Sequence, residues 1–153
     1  MTVHEYYKTG HITAERFDGS EEMMRKYDIE VVNYPYGGLC VFISTLEGQL
    51  SIRKSDWIAT GANGEHWPIA DDIFHKTYAE LPVIPQKVAD YIQKAKAGTW
   101  GIIDCYYHVA DNVTACGLDG VRDWEYWIVD HQDAFARAWL DGYRIEEEND
   151  DQF

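Results

Sequence analysis

The sequence predicts an α+β protein, with an antiparallel β-sheet carrying short helices and a smaller α/β module packed on it. Three observations predict this. Asn63-Gly64 is the strongest two-residue hairpin signal in the chain, because both positions tolerate positive φ. Leu39 to Thr45 is an apolar, β-branched run suited to a central strand. Val88, Tyr91, Ile92 and Ala95 recur at helical spacing between Pro85 and Gly98.

Taken in order, His11 to Phe17 reads as a first strand, turned by Asp18-Gly19. Ser20 suits the N-cap of a short helix from Glu21 to Tyr27, whose first turn holds Glu21 and Glu22 where the helix dipole favours acids. Ile29 to Asn33 is β-rich, and Pro35 to Gly38 breaks it. Glu47-Gly48 makes a hairpin tip that returns through Leu50 and Ile52. Asp56 to Thr60 and Glu65 to Ile69 flank the Asn63-Gly64 turn, after which Asp71 caps a helix from Asp72 to Tyr78.

Leu81-Pro82-Val83-Ile84-Pro85 is the joint between two modules, residues 1–81 and 82–153. Apolar residues flank both prolines, so the modules are expected to share an interface rather than swing on a tether. Pro85 suits the first turn of a helix to about Ala97, which Gly98 stops. Gly101 to Ala110 reads as a strand, Asp111-Asn112 and Asp119-Gly120 as turns, and Asp123 to Val129 as a short aromatic strand. His131 to Leu140 reads as a second helix with Phe135, Ala138 and Trp139 on one face, followed by Gly142 and a final strand at Tyr143 to Ile145. The acidic tail from Glu146 to Phe153 is expected to fray.

Composition narrows the function. The 153 residues carry a formal charge of −14, split as −6 over residues 1–81 and −8 over 82–153. That field repels phosphate backbones, which disfavours direct nucleic-acid binding. It favours a basic partner and speeds the encounter, although the same charge also serves plain solubility. Three sparsely spaced cysteines without a C-x-x-C fit a reduced, cytoplasmic setting. The N-terminal residues lack the basic and apolar regions of a signal peptide, and no apolar run approaches membrane-spanning length.

Catalytic patterns are poor. Cys105, His108 and Cys116 come nearest to a zinc set, but a strand would put Cys105 and His108 on opposite faces. No G-x-S-x-G, P-loop or G-x-G-x-x-G occurs, and Cys40 lies in an apolar strand. Asp71-Asp72 reads as capping acids rather than an acid–base pair. No cofactor, no metal and no enzymatic activity are expected.

Two groups suit recognition instead. Asp56, Glu65, His66, Trp67, Asp71 and Asp72 gather about the Asn63-Gly64 hairpin with Trp57, mixing aromatics and charge as contact surfaces do. The second group is Asp123, Glu125, Trp127, Asp130 and Asp133. If Asp123 to Val129 is a strand, Asp123, Glu125 and Trp127 share one face and offer a carboxylate row beside an aromatic. Both groups also read as ordinary core and half-buried strand.

Residues 11–81 resemble a small module common in bacteriophages of Gram-positive bacteria. The resemblance rests on Phe17-Asp18-Gly19, Thr45-Leu46-Glu47-Gly48, Asp56-Trp57-Ile58, Thr60-Gly61-Ala62-Asn63-Gly64-Glu65 and Asp72-Ile73-Phe74-His75-Lys76-Thr77-Tyr78. Residues 82–146 resemble a second, uncharacterised phage and prophage family, through Pro85 to Ile92 and Phe135 to Tyr143. The resemblance implies a small accessory protein of a phage infecting a Firmicute, acting in the host cytoplasm. The expected function is inhibition of a host defence system by binding. Its sharpest form is anti-CRISPR action on a Cas effector by acidic nucleic-acid mimicry. The expected partner is a basic, nucleic-acid-binding defence effector, with homo-oligomers left open. The alternatives are a sponge for a nucleotide immune signal, for which Arg16, Arg53, Arg122, Arg137 and Arg144 are available, and a regulatory or structural phage component.

Overall fold

A computed structural model describes residues 3–147. The chain divides into two compact units, residues 1–79 and 80–153. Together they make the α+β protein that the sequence predicts: antiparallel sheets in the first unit and mainly helices in the second. The acidic tail beyond Glu147 lies outside the described residues.

In the first unit, β1 (Thr13–Arg16), β5 (Trp57–Thr60) and β6 (His66–Ile69) form one antiparallel sheet in the order β1-β5-β6. A second sheet, ordered β2-β3-β4, comprises Ile29–Tyr34, Gly38–Thr45 and Gly48–Ser51. The helix α1 (Glu21–Lys26) begins where Ser20 Oγ accepts the Met23 amide at 3.2 Å. The apolar alternation meets in one core of Phe17, Met23, Tyr27, Ile29, Ile43, Ile52 and Ile58. Leu39 to Thr45 is the centre of its sheet, but only Ile43 in it is fully buried.

The helix α2 (Asp71–Thr77) starts after Ala70, and Asp71 is not its cap. The Asp71 carboxylate instead accepts the Trp57 indole N–H at 2.9 Å, which leaves α2 without a side-chain cap. Trp57 in turn stacks on Phe74 of α2, with ring centroids 4.1 Å apart. A tryptophan needs a partner for its N–H when half-buried, and this competing demand outweighs capping.

The second unit holds a short strand β7 (Val83–Ile84), α3 (Gln86–Ala97), α4 (Ile102–Cys116), a 3-10 turn at Leu118–Gly120, α5 (Asp123–Asp130), α6 (Gln132–Asp141) and β8 (Arg144–Ile145). Pro85 stands just before the first residue of α3, and Gly98 caps its end. Val88, Ala89 and Ile92 of α3 pack with Cys105 and Val109 of α4, Ile128 of α5, and Phe135 and Ala138 of α6. The parallel pair β7–β8 sets Val83 against Arg144 and Ile84 against Ile145, joining the two ends of this unit.

Two segments differ from expectation. Residues 102–110 form the first part of α4 rather than a strand, with Gly101 as the N-cap, and Asp111-Asn112 continues the helix rather than turning it. Asp123 to Val129 is likewise helical. Both are rich in aromatic and β-branched residues, whose strand preference mainly reflects fit to a half-buried surface. The core-facing positions decide otherwise, because Ile102 and Cys105, Tyr106 and Val109, and Glu125 and Ile128 each lie three residues apart, a spacing that shares a face in a helix and not in a strand.

Candidate functional site

The start of α5 is set by a buried carboxylate. Glu125, 2% exposed, accepts the Arg122 amide at 3.0 Å, the Arg122 guanidinium at 3.1 Å through both Nε and Nη2, and Asn112 Nδ2 of α4 at 2.6 Å. Burial raises its pKa, but the bonds from Arg122 and Asn112 together outweigh that and hold the carboxyl below its ordinary value. Glu125 is therefore not part of an exposed carboxylate row. Its helical position turns it inward, where it ties α5 to α4.

The helix brings other residues together. Asp123, Trp127 and Asp130 fall at i, i+4 and i+7, so they lie along one side of α5. Asp123 and Asp130 are exposed, and Trp127 is half-buried. The Trp127 ring stacks on His131, with centroids 4.6 Å apart and planes 6° apart. His131 Nδ1 lies 3.5 Å from Asp130 and 3.0 Å from the Trp127 carbonyl. Asp133, also exposed, stands in the first turn of α6. Among the described residues, neither Asp123 nor Asp133 forms a salt bridge with Lys or Arg. The arrangement is a carboxylate line with a flat aromatic at its centre, suited to meeting cationic side chains.

The hairpin group is engaged within its own unit. Asp56 accepts the Arg53 amide at 2.9 Å, and Glu65 folds back to accept the Asn63 amide at 3.0 Å. Gly61 makes room for Glu65, since a Cβ there would lie 2.0 Å from Glu65 Oε1. His66 bonds Thr60 Oγ1 at 2.8 Å and sets its ring edge-on to Tyr27. Lys8 lies 4.7 Å above the Trp67 ring, and Asp72 pairs with Lys76 at 3.4 Å. Asp71 holds Trp57 and also faces Arg16 at 3.8 Å and His75 at 3.6 Å. Replacing Asp71 with Ala is expected to cost about 1–2 kcal/mol, because a half-buried indole N–H loses its acceptor. Asp71→Asn, which keeps Oδ1, is expected to cost less, and urea unfolding of both variants checks the difference.

A polar cavity of about 540 Å³ opens on the inner face of the β1-β5-β6 sheet, lined by Thr13, Glu15, Lys26, Tyr27, Thr60 and His66. Sequence reasoning did not find it, because its residues come from three strands and a helix far apart in the chain. Lys26 and Tyr27 both donate to the Glu15 carboxylate, at 2.5 Å and 2.6 Å, and those two bonds hold Glu15 below the ordinary carboxylate range. Its one ammonium is thus already neutralised.

Cys105 and His108, three apart in a helix rather than a strand, point the same way. Tyr91 Oη lies 3.2 Å from the Cys105 carbonyl and 3.1 Å from His108 Nδ1. Among the described residues, no group of three or more His, Cys, Asp or Glu is placed to hold a metal. Burial pushes the Cys105 thiol pKa up, away from nucleophilic character. No helix among the described residues is long and apolar enough to cross a membrane.

Comparison with known proteins places one part of the chain. Residues 79–150 match DUF1642, a family described as a protein of unknown function. The DUF1642 segment spans the helical unit and contains both α4 and the carboxylate line of α5. No curated protein and no solved structure matches the chain.

Proposed function

We propose that this is a phage-encoded accessory protein that inhibits a host defence system by binding, its carboxylates occupying a channel in which a basic effector holds nucleic acid. Anti-CRISPR action on a Cas effector is the sharpest form of this reading. The observation that carries it is the line Asp123, Trp127 and Asp130 on α5, with Asp133 exposed in the first turn of α6, on a chain whose formal charge is −14. Carboxylates along a helix can stand in for phosphates, and Trp127 supplies an apolar contact among them. The resemblance of both halves to phage families supports the setting.

A nucleotide sponge has less support. It needs basic groups converging on a pocket, whereas Arg16 faces Asp71, Arg122 holds Glu125 and Arg144 pairs with Glu80 at 2.9 Å. The cavity of the first unit holds Lys26 against Glu15.

The test is a salt series of binding kinetics on a nucleic-acid-binding defence effector captured from host lysate and purified. Reversing Asp123, Asp130 and Asp133 to Lys is expected to slow association roughly tenfold at low salt, with little change in dissociation. Trp127→Ala is expected to speed dissociation instead. Binding indifferent to salt and to the three reversals would overturn the mimicry.

A further inference from the structure

The outward side of α4 is apolar as well as its inward side. Cys105 and Val109 are buried, while Ile103 and Tyr107 are 64% and 68% exposed. Ile103, Tyr106, Tyr107 and Ala110, at i, i+3, i+4 and i+7, line a shallow, open hollow of about 230 Å³ along one face of the helix. The rim is acidic. No Lys or Arg occurs in α4, whose only charged residues are Asp104 and Asp111. The Tyr106 hydroxyl donates to the Gln132 carbonyl at 2.7 Å, which brings the neighbouring Asp133 to the same edge. After burial, the Asp133 carboxylate is the next cause that raises the Tyr106 pKa. Arg137 lies one turn along α6 from Asp133.

We infer that this groove receives a cationic amphipathic helix of the partner protein, one apolar residue entering between Ile103 and Tyr107 while flanking Lys or Arg meet Asp104, Asp111 and Asp133. The inference rests on the binding reading above and names the surface and the kind of segment it takes. Helix-in-groove recognition uses this anchor spacing, with charge fixing orientation. A second copy of this chain is a poor occupant, because its own carboxylates would face the same rim within about a Debye length, roughly 8 Å at physiological salt.

The experiment uses the whole chain and a labelled Leu/Lys peptide of about 18 residues, long enough for five helical turns. A scrambled peptide of equal composition, with no apolar face, is the comparison. Anisotropy at about 0.15 M salt is expected to show the amphipathic peptide bound roughly tenfold tighter than the scrambled one. Ile103→Ser with Tyr107→Ser should abolish that preference while leaving the melting temperature near its original value, because both side chains are mostly exposed. Asp111→Asn with Asp133→Asn should weaken both peptides. Equal affinity for the two peptides, or an unchanged preference in the Ser variant, would overturn the groove. In either case, continued weakening by the Asp123, Asp130 and Asp133 reversals would leave the acidic binding reading standing. Failure of either cationic peptide to bind at low salt would overturn both readings. A dimer in sedimentation that the Ser variant dissociates would assign the groove to a second copy and overturn the partner proposal.

Discussion

Arg122→Ala is expected to destabilise the helical unit by about 2–3 kcal/mol, although Arg122 itself is largely solvent-exposed. The loss arises at Glu125, whose buried carboxylate would keep Asn112 and one backbone amide but lose both guanidinium bonds. Glu125→Gln is expected to be milder, since it removes the charge that needs pairing and leaves Arg122 in water. Because folding lowers the Glu125 pKa, its contribution is complete above the unfolded carboxylate value. It is lost as pH falls through the folded one. Wild-type stability should therefore decline in acid below about pH 4–5, and more steeply than that of Glu125→Gln. Urea midpoints at neutral pH and in that acid range measure both effects. A wild type and a Glu125→Gln variant with the same acid slope would show that the carboxylate is not held in its charged form.

Phe135→Ala is expected to have the largest effect, about 3–5 kcal/mol, because it leaves a cavity where a fully buried ring now packs. Tyr91 and Tyr106 approach that ring, with centroids at 6.4 Å and 5.3 Å, and neither can move inward without giving up its hydroxyl contacts. A unit of this size has little stability in reserve. Trp100, Trp124, Trp127 and Trp139 lie in it, and with Trp57 and Trp67 of the first unit replaced by Phe in the background of both proteins, tryptophan fluorescence reports its unfolding. A midpoint within about 1 kcal/mol of wild type would mean that the core collapses around the lost ring.

The β-rich half was legible because its punctuation is local. Ser20 capping α1, Gly48 at a hairpin tip and Asn63-Gly64 between β5 and β6 each fix the chain within a few residues. The helical half was half legible. Pro85 and Gly98 bracket α3, and Gly142 ends α6, but α4 and α5 carry Ile, Tyr, Trp and Val that also suit strands. Spacing held the missing signal. Ile102, Cys105, Tyr106, Val109 and Val113 repeat at three and four residues, as no strand does. The same error shaped the candidate site. Asp123, Trp127 and Asp130 share a side only in a helix, and Glu125 leaves the row for the same reason. Asp71 was misplaced because its partner, Trp57, is 14 residues away, beyond the reach of any capping rule.

The parallel pairing of Val83 with Arg144 brings the start of the helical unit beside its last strand. Adjacent strands are about 5 Å apart, so the entry and exit of the helical unit are neighbours. A segment with adjoining ends can be spliced into a surface loop of a host protein without stretching the recipient backbone. It can also be circularly permuted by joining those ends and opening the chain elsewhere. The geometry suits moving the unit as a whole, with both of its joins made at one place on a recipient surface.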